Sequence, residues 1–277
     1  MSRKLTGWLI TALLCLLAAV FLLPVVLVLI NSFKSRLYIT ASPFSLPDAT
    51  TFVGVENYLT GLRSSGFAAA FGRSVFITVG SVVLLVVGGS MTAWYLMRQN
   101  GRLCRLLYYL FVFSTIVPFQ MVMYTLTYVA GSLGLNNPVG ILPVYLGFGS
   151  GLTVFLLSGF VRGIPREVEE AATVDGAGPL RTFFRVVFPM LRPTAVTVAI
   201  LNAMWIWNDY LLPYLILGSG QKTVPVAIQM AMQGAYGSTD YGGLMAMLVL
   251  AIIPIIAFYL AGQRYIISGV VAGAVKG

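Results

Sequence analysis

Residues 165–189 read PREVEEAATVDGAGPLRTFFRVVFP and lie between two long apolar runs. Pro165 suits the first turn of a helix, because the backbone amide that it lacks has no partner there. The positive end of the helix dipole favours acidic side chains in the first turns, and this segment carries Glu167, Glu169 and Glu170. Gly176, Gly178 and Pro179 then interrupt the helical pattern. The segment therefore predicts a short helix that ends near Gly176.

A second helical pattern follows this interruption. Its apolar positions recur at intervals of three and four, and they are Leu180, Phe183, Phe184, Val187 and Phe188. Arg181 and Arg185 occupy the polar side. We expect this helix to lie at the membrane surface and to present the first helix to a protein outside the membrane, and Pro189 closes the segment. Ala171 and Ala172 keep the surface of the first helix small, which allows close docking.

The spacing within this segment resembles the EAA loop of binding-protein-dependent ABC importer permeases. That loop has Glu-Ala-Ala, three residues, Gly, nine residues and an apolar-x-apolar-Pro ending. This chain matches it with residues 170–172, Gly176 and residues 186–189, where Phe188 replaces the usual leucine. Further segments resemble the carbohydrate branch, specifically the smaller permease subunit of maltose-type transporters, and they are residues 31–34 (NSFK), 207–210 (WNDY) and 263–277. The resemblance thus covers almost the whole chain.

The resemblance implies an all-α, polytopic membrane protein with six transmembrane helices and the type I ABC importer (MetI-like) permease fold. It also implies a heterodimer with a second permease subunit, two ATP-binding subunits and an extracytoplasmic substrate-binding protein. ATP and Mg would be bound by the partner ATPase subunits, and this chain would bind no cofactor. The loop residues expected to couple ATP hydrolysis to transport are Glu167, Glu170, Ala171, Ala172, Asp175, Gly176 and Pro189.

The composition by itself indicates a membrane protein. Of the 277 residues, 58% are hydrophobic and only 9% are charged, whereas a soluble domain carries about a quarter charged residues. Apolar runs long enough to cross a hydrocarbon layer of about 30 Å are predicted at residues 8–30, 71–97, 106–129, 141–161, 194–217 and 243–267. The first run is longer than the apolar region of a secretory signal, so we interpret it as a retained helix.

The basic residues predict the orientation of these six spans, which place both termini on one side. Twelve of the 17 Lys and Arg residues fall on the side of the termini and of residues 165–189, and five fall on the other. The positive-inside rule predicts that the termini and this loop are cytoplasmic, and the resemblance implies that the membrane is a bacterial cell membrane. The net charge of +9 is therefore explained by topology, and nucleic-acid binding is not expected.

We divide the chain into three parts. Residues 1–70 hold the first transmembrane helix and an external loop. Residues 71–267 form the ABC type-1 transmembrane permease domain, with the cytoplasmic EAA loop at residues 162–193. Residues 268–277 form a cytoplasmic tail.

Polar residues inside the spans are candidates for the substrate pathway. Gln120, Tyr124 and Thr127 share one face of the third span, and in the fifth span one helical face is expected to hold Asn202, Ile206, Asp209 and Pro213. Polar groups in a membrane helix usually face the bundle or a water-filled path. Interhelical hydrogen bonds are the alternative for the third span. For Asp209 the alternative is pairing with a base on the partner permease.

Catalytic and metal sites are not expected. The chain has no histidine, its two cysteines lie far apart, and residues 218–223 (GSGQKT) have Gln221 where a phosphate-binding loop needs glycine. We therefore interpret the chain as a transport subunit and not an enzyme, and the resemblance to the carbohydrate branch implies a sugar or oligosaccharide as its substrate. The alternatives are an ABC importer permease for a non-sugar solute, a secondary carrier that uses Asp209 for ion coupling, and a membrane-embedded enzyme.

Overall fold

The computed structural model describes residues 3–64, 66–233 and 239–274. In these ranges the chain is helical, with one isolated antiparallel β-bridge between Lys34 and Phe52. In chain order the helices are α1 Arg3–Asn31, α2 Arg36–Ala41, α3 Glu56–Ser64, α4 Phe67–Arg98, α5 Arg102–Ser114, α6 Phe119–Ser132, α7 Ile141–Val161, α8 Arg166–Val174, α9 Pro179–Thr182, a π-helical turn Phe183–Val187, α10 Phe188–Asn208, α11 Leu211–Leu217, α12 Val224–Gln233 and α13 Tyr241–Ala274. The all-α prediction is confirmed.

Five helical segments in the described ranges are long and apolar enough to cross a membrane. They are Gly7–Asn31, Phe67–Arg98, Ile141–Val161, Pro179–Asn208 and Tyr241–Gln263. The predicted first, second, fourth and sixth spans each coincide with one of them. Helix α13 continues to Ala274, so most of the predicted tail at residues 268–277 is helical, and residues 275–277 lie outside the described residues.

The predicted third span is not one straight helix. Helices α5 and α6 pass the test for a span only as a pair, and they are bent by 106° at the break between them. Pro118 lies in this break, immediately before α6, with an extended backbone (φ −64°, ψ 137°). A proline lacks the amide that would continue the helix and disfavours the helical conformation in the residue before it. If this pair counts as one span, the described residues hold six candidate spans.

The prediction that the fifth span covers residues 194–217, separate from the helix at residues 180–188, is wrong. The helix continues from α9 through the π-helical turn into α10, so that Pro179–Asn208 is one span. The N–H of Phe188 donates to the carbonyl of Phe183, a bond five residues long. The wider π turn gives room for the ring of Pro189, which would otherwise clash with the carbonyl four residues earlier.

The described residues form two compact units. The first consists of Met1–Ala68 and Ala227–Pro254, and the second of Ala69–Val226 and Ile255–Gly277. In the first unit, hydrogen bonds join the NSFK segment to residues that follow it in the chain. Lys34 is fully buried, its Nζ donates to Ser42 O and Ser45 Oγ, and Asn57 Nδ2 donates to the carbonyls of Ser32 and Lys34. These hydrogen bonds hold the NSFK segment within the loop that follows α1.

The second unit is built around α7, which packs against α5 and α10. The contact with α5 needs a small residue, because a Cβ atom at Gly151 would lie 2.6 Å from the carbonyl oxygen of Phe111. Two apolar clusters lie along this bundle. One surrounds Leu157 and Phe183, and the other surrounds Tyr145 and Ile206. They place one buried polar site at each end of α7.

Candidate coupling site

Helix α8 carries the Glu-Ala-Ala sequence and projects from the second unit. None of its residues is fully buried, and Val174 is 88% exposed. Gly176 ends the helix with a φ of +79°, Gly176 N donates to Thr173 O, and Ala177 N donates to Ala172 O. This pair of bonds is a Schellman motif, which needs a left-handed residue at the position of Gly176. The glycine is therefore required by the backbone, and a Cβ atom there would meet nothing within 4 Å in this chain.

One acidic side chain of α8 turns inward. Glu169 Oε1 accepts hydrogen bonds from Arg98 Nε at 2.8 Å and from Arg98 Nη2 at 2.6 Å. Glu169 Oε2 accepts a bond of 2.9 Å from Trp94 Nε1. The side chains of Arg98 and Glu169 are only 15% and 14% exposed. We call Trp94, Arg98 and Glu169 the anchor triad, because charge-assisted bonds of this kind hold α8 to the end of α4.

Two residues of the anchor triad also contact neighbouring segments of the chain. Arg98 Nη2 also donates to the carbonyl of Ile164, in the turn that precedes α8. The ring of Trp94 lies 5.6 Å from that of Phe183, which is fully buried at the π-helical turn. Thus α8, the end of α4 and the start of the fifth span share one packed junction.

The opposite end of α4 is also held by hydrogen bonds to other residues of the second unit. Arg73 Nε donates to the carbonyl of Lys222, and the N–H of Val224 donates to Ser74 Oγ. Arg73 and Arg98 are 25 residues apart, which corresponds to about 37 Å along a helix at 1.5 Å per residue. Because this length exceeds the hydrocarbon layer of about 30 Å, α8 and the 218–223 turn lie at opposite ends of a span.

The predicted coupling residues divide into two groups. Glu167, Glu170, Ala171, Asp175 and Gly176 are exposed, and Ala172 is partly exposed, so all six belong to the free surface of α8 and its C-terminal turn. Pro189 lies at the start of α10 instead. Sequence reasoning assigned no coupling role to Trp94, Arg98 or Glu169. The spacing of Trp94 and Arg98 at i and i+4 was the available signal, but it does not identify their partner 71 residues away.

A second partly buried carboxylate lies near the other end of α7. Asp209 Oδ2 accepts a hydrogen bond of 3.0 Å from the hydroxyl of Tyr145, which is fully buried. Asp209 Oδ1 accepts bonds from the backbone N–H groups of Leu211 at 3.0 Å and Leu212 at 3.3 Å. The ring of Trp205 meets that of Tyr145 edge-on at 5.6 Å. Asp209 therefore caps α11 and fixes it to α7.

This geometry corrects the predicted face of the fifth span. Helix α10 ends at Asn208, and Asp209 has an extended backbone (φ −73°, ψ 121°), so Asp209 and Pro213 do not continue the face of Asn202 and Ile206. The chain breaks here because the Asp209 carboxylate offers the next amides an alternative to the helical bonds. Asn202 is buried, and its Nδ2 donates to Thr153 Oγ1 and Val198 O. It joins α10 to α7.

The candidates on α6 are placed differently. Gln120 is exposed, Tyr124 is 76% exposed, and Thr127 is partly buried and donates to the carbonyl of Met123 in its own helix. Gln120 and Tyr124 thus lie on a face that the second unit leaves uncovered. In the described ranges no group of three or more His, Cys, Asp or Glu residues is arranged to hold a metal ion.

Comparisons with known proteins agree on one family. Residues 85–271 match the family described as the binding-protein-dependent transport system inner membrane component. A probable starch degradation products transport system permease protein, AmyC of Thermoanaerobacterium thermosulfurigenes, is 36% identical over 97% of both chains. The multiple sugar-binding transport system permease protein MsmG of Streptococcus mutans is 35% identical over 92% of both. A chain of a bacterial ABC transporter involved in alginate import superimposes with a TM-score of 0.82, at 23% identity, over 96% of this chain and 98% of that one. At this identity, the similarity to the alginate importer chain shows a shared fold and nothing more.

Proposed function

The chain belongs to the family of binding-protein-dependent transport system inner membrane components, and we propose that it is one of two permease subunits of an ATP-driven sugar importer. Members of this family are transport components and not enzymes. Family membership excludes the membrane-embedded enzyme and the secondary carrier that the sequence left open. The substrate, the partners and the route of coupling belong to the proposal.

The observation that carries the coupling part of the proposal is the exposure of α8 together with its anchor. Free helices of nine residues are marginal in water, yet α8 is held by an ion pair at Glu169 while its outer surface stays uncovered. A rigid, exposed helix between two spans suits docking in a groove of another protein. We assign that groove to an ATP-binding subunit, which would bind ATP and Mg. The exposed residues Glu170, Ala171 and Ala172 supply the docking surface.

The orientation follows from the bases at the α8 end. Arg98, Arg102, Arg105, Arg162 and Arg166 cluster at the ends of α4, α5, α7 and α8, and the positive-inside rule places such a cluster in the cytoplasm. With the α5–α6 pair counted as one span, both termini are cytoplasmic too. The turn at residues 218–223 then faces the outside, where a substrate-binding protein docks.

Transport in this arrangement depends on movement of α4 and of the fifth span. ATP-driven approach of the two ATP-binding subunits moves α8, and the anchor triad passes the displacement to α4 and to the π-helical junction at Phe183. A ligand shifts a conformational equilibrium only through different affinities for the two states. ATP and the loaded binding protein would both favour the outward-open state.

The substrate assignment rests on the relatives and on an uncovered polar face. The names of AmyC and MsmG refer to starch degradation products and multiple sugars, so we assign an oligosaccharide to this importer. The exposed face of α6 with Gln120 and Tyr124 offers an amide and an aromatic hydroxyl. These groups suit sugar hydroxyls, and we place this face at a pathway shared with the second permease.

A reconstituted complex tests the proposal. The chain, the second permease, the ATP-binding subunits and the binding protein are assembled in liposomes, and uptake of labelled gluco-oligosaccharides, N-acetylated disaccharides and amino acids is compared. We expect uptake of one saccharide class that requires both ATP and the binding protein. Uptake of amino acids alone would contradict the sugar assignment, and uptake driven by an ion gradient without ATP would contradict the importer.

A further inference from the structure

A polar pocket lies at the α8 end of the second unit, apart from the docking surface of α8. Its volume is about 240 Å³, and it opens between the end of α4, the following turn, the start of α5 and the residue after α7. Its polar lining residues are Gln99, Asn100, Arg105, Tyr108, Tyr109 and Arg162.

The pocket carries two positive charges without a counter-charge. None of its lining residues is acidic. The ion pair in the described part of the chain joins Arg98 to Glu169, and neither arginine of the pocket takes part in it. Arg162 is positioned by neutral groups, because its guanidinium carbon lies 5.5 Å from the centre of the Tyr108 ring and its Nε donates to Met97 Sδ at 3.2 Å. Two arginines in one pocket form a site for an anion, and their planar forks suit a phosphate group.

The surroundings of the pocket distinguish a lipid phosphate from a free one. The spans of α4 and α7 end beside it, at Arg98 and Val161, which places it at the level of the lipid head groups. Tyr109 is 61% exposed, as expected for an aromatic residue at the membrane interface. The outer surface of α5 next to it is apolar, with Leu103, Leu106 and Leu110 exposed. A ligand with a charged head and apolar chains fits both surfaces.

We propose that Arg105 and Arg162 bind the phosphate of an anionic phospholipid of the cytoplasmic leaflet. Basic pockets between transmembrane helices on this side are typical sites for anionic lipid head groups. The proposal rests on the cytoplasmic orientation given above, but it does not depend on the transported substrate. A lipid held here would contact α5 and the residues that connect α7 to α8, next to the anchor triad.

The test measures lipid retention by the assembled complex without ATP or sugar. The complex is placed in nanodiscs with equal amounts of phosphatidylglycerol and phosphatidylcholine, and the co-released lipids are counted by native mass spectrometry. We expect wild-type complex to retain phosphatidylglycerol selectively. Arg105→Gln should reduce this retention about fivefold, and the double change with Arg162→Gln about 25-fold, since each basic residue near an anionic surface contributes a fivefold factor.

Controls make each outcome decisive. Arg63→Gln removes one exposed charge from the first unit and should leave retention unchanged. The guanidinium of Arg105 makes no side-chain hydrogen bond among the described residues, and the hydrogen bond of its backbone N–H to Gly101 O does not depend on the side chain, so the single variant should assemble even where the double variant does not. Equal retention by wild-type and Arg105→Gln complexes would overturn the proposal. Displacement of the lipid by inorganic phosphate would also overturn it, because the pocket would then select a small anion only.

Discussion

Two carboxylates, Glu169 and Asp209, are enclosed at opposite ends of the same helical unit and are held in different ways. Glu169 on α8 meets a cation, Arg98, and an indole N–H from Trp94. Asp209 meets a tyrosine hydroxyl and two backbone amides. The first arrangement joins α8 to α4, two elements that we propose move together, and the second fixes the break between α10 and α11. At one end of the unit, the enclosed acid thus links two separate helices, α8 and α4. At the other end, the enclosed acid caps the helix that follows it.

The largest expected effect comes from removing the cation of the first arrangement. Arg98→Met leaves Glu169 charged in a mostly enclosed position, and we expect the complex to lose about 3 kcal/mol of stability. ATP hydrolysis should continue while the sugar transported per ATP falls sharply. Thermal unfolding of the purified complex and the uptake-to-hydrolysis ratio measure the two effects. Arg102→Met, an exposed base at the start of α5, is the matched control and should change neither.

A double variant measures the interaction between Arg98 and Glu169 separately from the interactions that each makes with other residues. Arg98→Met combined with Glu169→Met removes both charges, so it should recover about 2 kcal/mol relative to the sum of the single changes. Coupling should stay low because the joint is still missing. Simple additivity of the three variants would show that Arg98 and Glu169 do not interact in the folded complex.

The second arrangement should be less sensitive to charge. Asp209→Ala removes the cap of α11 and leaves the Tyr145 hydroxyl without an acceptor, at a cost of about 2 kcal/mol. Asp209→Asn keeps an acceptor oxygen, so its cost should stay below about 1 kcal/mol, with assembly and sugar preference unchanged. A changed preference in Asp209→Asn would place the carboxylate at the substrate pathway, and weaker heterodimer assembly would instead reveal a base on the partner.

The C-terminal turn of α8 tests whether the backbone contributes beside the anchor. Gly176→Val must adopt a φ of +79°, which costs a non-glycine residue about 1–2 kcal/mol, so transport should fall. Gly176→Asn should retain most transport, because asparagine tolerates the left-handed region. Equal loss in both variants would show that bulk at the docking surface decides the outcome, not backbone conformation.

The smallest effect concerns the neutral member of the anchor triad. Trp94→Phe removes the bond to Glu169 Oε2 but retains an aromatic ring beside Phe183. We expect a loss of about 1 kcal/mol and a modest fall in sugar transported per ATP. An effect as large as that of Arg98→Met would mean that the indole, and not the charge, is the main link to α4.

Local features of this fold were accessible from the sequence, whereas the breaks and the distant pairings were not. Pro165 and the acidic first turns located α8, an apolar run located α7, and glycine placed the end of α8, because each signal depends on neighbouring residues. The break at Pro118 and the one at Asp209 were missed, since a hydropathy window averages over a bend. Glu169 differs little from Glu167 and Glu170 in sequence. Only the packing of α4 against α8 selects it as the anchored acid.

We propose that α8 and the end of α4 move as one body during transport. Spin labels on Val174→Cys and Tyr95→Cys, both at exposed positions, with Cys15 and Cys104 replaced by serine, report the distance between the two helices. We expect one narrow distance distribution that stays the same in the resting complex and in the ATP-trapped complex, and a broader one in Arg98→Met. A wild-type distance that shifts between the two states would contradict it, because α8 would then move independently of α4.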